Sequence, residues 1–383
     1  QEVVGDIAKK HGVKRVVKSK SMVSEEIELN PYLESMGIDV TETDLGEFII
    51  QLAGERPFHI VAPALHRKAR EVSLLFKEKL RIDVGERIED LTDAARKVLK
   101  KRFLEADMGI TGSNFVIAET GTLSIVENEG NARMCATYPR VHVAIVGEEK
   151  IIPRFSDLGL FLPLLTISAT GQRMTSYVML LGGPHEGGVN GPKERYVIFV
   201  DNGRSKLLRD PELWPLLKCI RCGACINVCP IFNKVGGHAY GWVYSGPIGA
   251  IFNYGILGPE KAGELPFAST LCGACEEVCP LKIPLTRILL EERRRNSETK
   301  NAKGRPGFGE RLAFSIWAYF MGHPGIYSLS GSPIRKILRF LGLGRWRRHY
   351  LPPLFEWSKG RDFPPLSKEP FLKKINKKFK KEV

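Results

Sequence analysis

Apolar and polar positions follow two different periods along the first two hundred residues. Short runs dense in β-branched residues occur at Val13–Val17, His59–Pro63, Phe115–Ala118, Thr122–Val126, Val141–Val146 and Tyr196–Val200, the last four bounded by Gly, Asn or Pro. Runs of this length and composition predict short buried strands. Between them, residues 84–104 place Ile88, Leu91, Ala95, Val98, Leu99 and Phe103 at helical spacing among charges, which predicts an amphipathic helix. Asp44 and Glu47 stand where a second helix, Leu45–Leu52, begins, and both favour its N-terminal dipole. Alternating signals of this kind predict an α/β domain with a mostly parallel sheet over residues 1–204. A tight turn at Gly187–Pro192 precedes its last strand.

From residue 205 the cysteines take over as the organising signal. Seven of the eight fall in two runs, Cys219-x-x-Cys222-x-x-Cys225-x-x-x-Cys229-Pro230 and Cys272-x-x-Cys275-x-x-x-Cys279-Pro280. This is the ligand spacing of a two-cluster ferredoxin, in which a C-x-x-C-x-x-C run wraps one cube and the fourth cysteine reaches the other. A disulfide framework suits short secreted chains, and a structural zinc site usually shows paired C-x-x-C motifs. By the crossed rule, cluster 1 takes Cys219, Cys222, Cys225 and Cys279, and cluster 2 takes Cys229, Cys272 and Cys275. Ser269 stands where the second run lacks its first cysteine. Cluster 2 is then either a [4Fe–4S] cube with a serine, water or exogenous fourth ligand, or a [3Fe–4S] cluster. Gly223 and Gly273 permit close backbone approach to such clusters. Cys135 stands alone and reads as a buried small hydrophobe. Residues 205–297 therefore form a helical ferredoxin-like domain, with roughly forty residues between the runs and a helix over Ile283–Arg295.

The 383 residues carry 57 Lys and Arg against 43 Asp and Glu, a formal charge of +14. Such a balance suggests acidic partners, anionic lipid or nucleic acid. The basic residues concentrate in the tail without aromatic stacking motifs, which argues against nucleic acid. Residues 298–383 read as a basic C-terminal extension, opened by a linker at Gly304–Gly307. Leu312–Met321 predicts a buried or interfacial helix, about half the ~20 residues a membrane span needs. In the tail, Phe371, Leu372, Ile375 and Phe379 share one helical face among lysines, a pattern suited to peripheral contact with an anionic membrane. Cysteines spaced for reduced ligation point to a cytoplasmic protein. The chain opens on Gln1 within a helix-like run, which reads as an N-terminal truncation.

Several stretches carry a resemblance. Gly112–Thr122, Asn128–Arg133, Glu42–Glu47, Pro139-x-x-His142 and Asp201–Arg204 resemble the LUD domain of lactate-utilisation proteins. With the first cysteine run and Gly236–Gly241, the whole chain resembles the lactate utilisation protein B family, the iron–sulfur subunits of a bacterial L-lactate oxidation system. The resemblance implies an N-terminal fold similar to ribose-5-phosphate isomerase, glucosamine-6-phosphate deaminase and CoA transferases. It also implies two partner subunits, one cysteine-rich and one a short LUD protein, and electron transfer rather than complete catalysis. The alternative is a LUD-fold enzyme acting on a sugar phosphate or acyl-CoA, with structural clusters.

Three residues stand out as weaker catalytic candidates. Glu119 suits a general base or a capping carboxylate. Arg133 suits an anion clamp beside the Gly and Asn turns at Gly112–Asn114 and Glu129–Arg133. His238, in a glycine-rich turn, suits hydrogen bonding to a cluster or proton gating. His142, within a strand, reads as a packed core histidine.

Overall fold

The computed structural model describes residues 1–183, 191–303 and 308–323, with positions 325, 326, 336, 367, 369, 371, 374 and 375 beyond them. It divides into two compact units, Gln1–Thr299 and Lys300–Val383.

In the first unit the strands are β1 (Arg15–Lys18), β2 (Asp39–Glu42), β3 (Met108–Thr111), β4 (Phe115–Ile117), β5 (Thr122–Glu127), β6 (Val141–Gly147), β7 (Ile151–Ile152), β8 (Tyr177–Leu181) and β9 (Glu194–Val200). Five of them form a sheet in the order β2-β1-β3-β6-β9, parallel throughout. Both faces of this sheet are covered. Along β1, Val16 joins Leu29, Leu33, Ile110 and Val143 on one face, while Val17 joins Phe48, Phe76, Leu91 and Leu99 on the other. Such period-two sorting onto two apolar layers is why the strands read as continuous hydrophobic runs.

The expected single sheet is corrected here. The other four strands form a second sheet, β7-β4-β5-β8, whose β4–β5 and β5–β8 pairs are antiparallel. Only four residues, Ala118–Gly121, separate the register partners Ile117 and Thr122, too little chain for a parallel crossover. The predicted strand at His59–Pro63 is also absent. Pro57 and Pro63 flank the run, neither can donate to a ladder, and the segment is a loop.

The predicted helices are present as Leu45–Ala53 and Ile88–Glu105. Asp44 caps the first, accepting from the Glu47 N–H at 3.1 Å. His142 is fully buried in β6, bonded to Thr111 Oγ1 at 2.9 Å and accepting from Arg195 Nε at 3.0 Å. Cys135 is fully buried, and burial pushes its thiol up to about 12.

The cysteine-rich part is built from short helices around Gly246–Leu257 and the start of Leu285–Lys303. In the second unit, Phe308–Gly322 is a helix whose Leu312, Phe314, Ile316 and Trp317 are exposed rather than buried. Among the described residues no helix is long and apolar enough to cross a membrane. The Gly304–Gly307 linker, most of the Gly187–Pro192 turn and most of the basic tail lie outside the described residues.

Candidate iron–sulfur centre and its adjoining cavity

Each cysteine run folds by the same local rule. Arg221 and Leu271, one residue before Cys222 and Cys272, take φ of 61° and 55°. Gly223 and Gly273 follow at 79° and 84°. Left-handed backbone at both positions turns the chain tightly around each cysteine, and the glycine opens a short helix, Ala224–Asn227 or Ala274–Glu277. N–H groups aim at sulfur in both runs: Arg221, in the first turn, donates to Cys219 Sγ at 3.4 Å, and after the last cysteines Phe232 donates to Cys229 Sγ at 3.5 Å and Ile283 to Cys279 Sγ at 3.4 Å.

The two runs meet. Cys219, Cys222, Cys225 and Cys279 line one apolar cavity with Ile60, Ile248 and Ile283. Burial, with the Cys219 and Cys279 sulfurs close by, pushes the Cys222 thiol up to about 11. Burial and the neighbouring Cys229 and Cys272 sulfurs do the same to Cys275, again to about 11. Cys272 is exposed, and the Ala274 N–H lowers its pKa. Thiols crowded in apolar surroundings resist ionisation unless a cation joins them, so this donor set fits a thiolate-bound metal cluster. Ser269 Oγ accepts the Leu271 N–H at 3.1 Å.

A loop from the α/β part closes over this centre. Gly237 lies so near that a Cβ there would come 1.7 Å from the Phe58 carbonyl oxygen. Arg56 donates to Gly241 O at 3.0 Å. His59 is buried, and burial lowers its pKa. Its Nδ1 accepts from Val61 and Ala62 N–H groups, both at 3.1 Å, so the ring proton sits on Nε2. A Cβ on Gly223 would meet its Cε1 at 3.2 Å. Sequence reasoning placed His59 in a strand and missed it; the flanking prolines were the available signal.

A second cavity, of about 500 Å³, adjoins the first run. Its lining includes Lys20, Asp44, Asn114, Asn128, Glu129, Lys150, Gln172, Ile220 and Arg221. Behind it lies a buried ion network. Arg204 pairs with Glu26 at 2.6 Å and Glu149 at 2.5 Å, and Arg221 reaches Glu149 at 3.3 Å. Burial alone would raise Glu149, but Arg221, Lys150 and Arg204 outweigh it and hold the carboxylate below its ordinary range. Burial and the Arg221 charge pull Lys150 down to about 8. The Arg221 guanidinium also stacks over Tyr244 and Phe252 at 4.5 and 4.1 Å.

The three weaker candidates line neither cavity. Glu119 is exposed and accepts the Phe155 N–H at 2.8 Å. Arg133 lies over the Tyr177 ring at 4.5 Å. The Ala132 and Arg133 amides, expected to hold an anion, already donate to Glu127 at 2.7 and 3.0 Å. His238 bonds Arg56 O at 3.0 Å and meets His66 edge-on, with ring centroids 4.9 Å apart.

Comparison with known proteins agrees with this architecture. Residues 1–200 match the LUD domain, and residues 215–283 match the 4Fe-4S dicluster domain. Lactate utilization protein B of Bacillus licheniformis is 45% identical over 371 residues, 96% of this chain and 77% of that protein. The protein of the same name from Bacillus subtilis is 45% identical over 370 residues, covering 96% and 76%. That from Bacillus pumilus is 42% identical over 377 residues, covering 98% and 79%. A crystal structure of a DUF162 family protein from Deinococcus radiodurans aligns over 51% of this chain and 93% of its own at 16% identity and a TM-score of 0.23, too slight to carry an argument. The paired cysteine turns, the α/β half that closes over them and the end-to-end similarity lead to one conclusion: this chain belongs to the lactate utilization protein B family, a LUD domain joined to an iron–sulfur domain.

Proposed function

We propose that this chain is the iron–sulfur electron-transfer subunit of a multi-protein system that oxidises L-lactate to pyruvate. Residues 1–204 act as the LUD domain, 205–297 as the two-cluster domain and 298–383 as a basic extension. Cluster 1 is held by Cys219, Cys222, Cys225 and Cys279. Cluster 2 is held by Cys229, Cys272 and Cys275, with Ser269 in fourth place. The partners are a cysteine-rich subunit and a shorter LUD protein.

The observation that carries this reading is the crossing of the two runs, since Cys279 of the second shares a cavity with Cys219, Cys222 and Cys225 of the first. Bound there, iron–sulfur clusters supply one-electron carriers, and two of them in one chain suit a two-electron oxidation. The chain's own part is to fix the thiolates, to direct backbone N–H groups at their sulfurs and to exclude water with Ile60, Ile248 and Ile283. Buried positive charge beside Cys219, from Arg221 and Lys150, favours the reduced state of cluster 1.

Anaerobic reconstitution tests this directly. The loaded chain is expected to show broad cubane absorbance and, on reduction, EPR signals from two clusters. Iron that stays near zero per chain after careful anaerobic loading would falsify the proposal.

A further inference from the structure

The 500 Å³ cavity is lined by amides, by the carboxylates Asp44, Glu127 and Glu129, and by the cations Lys20, Lys150 and Arg221. Two of these cations are incompletely satisfied. The Arg221 side chain is 9% exposed, and its Nη2 engages Glu149. Its Nε and Nη1 are buried and have no hydrogen-bond partner. Lys150, also 9% exposed, makes one long bond, 3.4 Å, to the Cys219 carbonyl oxygen. Buried N–H groups on a charged side chain are costly to leave without acceptors.

Charge counting points the same way. The buried network behind the cavity holds three cations, Lys150, Arg204 and Arg221, against two carboxylates, Glu26 and Glu149. One positive charge has no partner within the network, and it sits at the cavity wall. A buried charge calls for a counter-charge. A singly charged anion in the cavity adds a counter-charge to the one that cluster 1 supplies beside Cys219, and the cavity volume is in the range of small-molecule sites.

We infer that this cavity takes a small organic carboxylate, its carboxylate group on Lys150 Nζ and within reach of the Arg221 charge. The body of the ligand then lies toward Asn114, Asn128 and Gln172; the Asn128 and Gln172 amides pair with each other at 2.9 Å, and the Asn114 side-chain amide suits a hydroxyl or keto oxygen. Arg221 lies between Cys219 and Cys222. The ligand charge therefore falls within one residue of two cysteines assigned to cluster 1, and for this part the inference rests on the proposed function. The expected anion turn at Glu129–Arg133 is not needed, because Glu127 already takes the Ala132 and Arg133 amides.

The test uses the full chain, anaerobically loaded, with L-lactate, pyruvate and inorganic phosphate as separate probes. Calorimetry is expected to detect L-lactate or pyruvate, and equal phosphate not to displace either. Lys150→Met is expected to weaken carboxylate binding about tenfold or more with iron content unchanged. Arg221→Lys keeps the charge and is expected to weaken binding less. In the parent chain, the bound carboxylate is expected to lower the midpoint potential of one cluster, a readout independent of any variant's folding. Three results overturn the inference: a fully loaded chain that binds neither carboxylate, phosphate binding more tightly than both, or Lys150→Met moving the potential while leaving binding intact. The last would mean that the cations serve the cluster alone. A chain that takes up no iron sinks the proposed function instead, and calorimetry on that iron-free chain still reads the cavity.

Discussion

Ser269 holds the place in the second cysteine run that Cys219 holds in the first. Leu271 N–H reaches Ser269 Oγ at 3.1 Å as Arg221 N–H reaches Cys219 Sγ at 3.4 Å. Both donors have a left-handed backbone. An oxygen ligand is harder than a thiolate and stabilises ferric iron more. Ser269→Cys is therefore expected to raise the midpoint potential of cluster 2 and leave cluster 1 alone. Ser269→Ala is expected to give the EPR signal of a three-iron cluster in the oxidised protein. Unchanged spectra in both variants would remove Ser269 from the ligand set.

Crossed ligation makes a pairing that linear order does not. Cys279→Ala is expected to lose the same EPR signal as Cys222→Ala, although the two residues belong to different runs. Cys229→Ala is expected to match Cys275→Ala. Signals that sort by run rather than across runs would refute the assignment.

Arg204 is 1% exposed, between Glu26 at 0% and Glu149 at 1%. Removing one member of a buried ionic group leaves the others uncompensated, at about 3–5 kcal/mol. Arg204→Met is expected to lose stability on that scale in urea unfolding of the full chain. Glu26→Gln added to it is expected to recover part of the loss. A loss near that of an exposed ion pair would show that the network is solvated.

Gly237 meets backbone, not a flexible side chain, at the Phe58 carbonyl. Gly237→Ala must displace the loop that carries His59, and the expected cost is about 3 kcal/mol. Faster proteolysis within residues 55–63 is the second readout. A fully stable variant with an intact loop would mean that the contact yields easily.

Burial, with the Arg195 charge, holds His142 down at about 3, against an ordinary value of 6.5. The unfolded chain then binds a proton that the folded chain refuses. Stability from this residue is present above pH 6.5 and is lost as the pH falls toward 3. The loss reaches about 2 kcal/mol at pH 5, at 1.36 kcal/mol per unit. His142→Asn is expected to flatten the urea midpoint between pH 7 and pH 5 relative to the parent. An identical slope would place the acid sensitivity elsewhere.

The cysteine runs were legible because ligation is written in local spacing, which needs no knowledge of the tertiary fold. The strands of the parallel sheet were legible because burial on two faces forces continuous apolar runs such as Val141–Val146. The second sheet was not legible, since β4 and β5 have the same composition as the parallel strands and only their pairing tells them apart. Lys150 and Arg221 were missed for a different reason. Each is an ordinary charged residue in sequence, and only the fold buries them together against Glu149. Arg133 drew attention instead because it sits in a recognisable turn, yet that turn spends its amides on Glu127.

The close approach of Phe58 to Gly237 has a bearing on how electrons travel. Some redox proteins carry their centres on a tethered head that swings from donor to acceptor, and such a head needs slack at its root. Here main chain rests on main chain, and Arg56 clasps Gly241 beside it. With that anchor in place the clusters are expected to stay put against the α/β half, and donor and acceptor to come to them in turn.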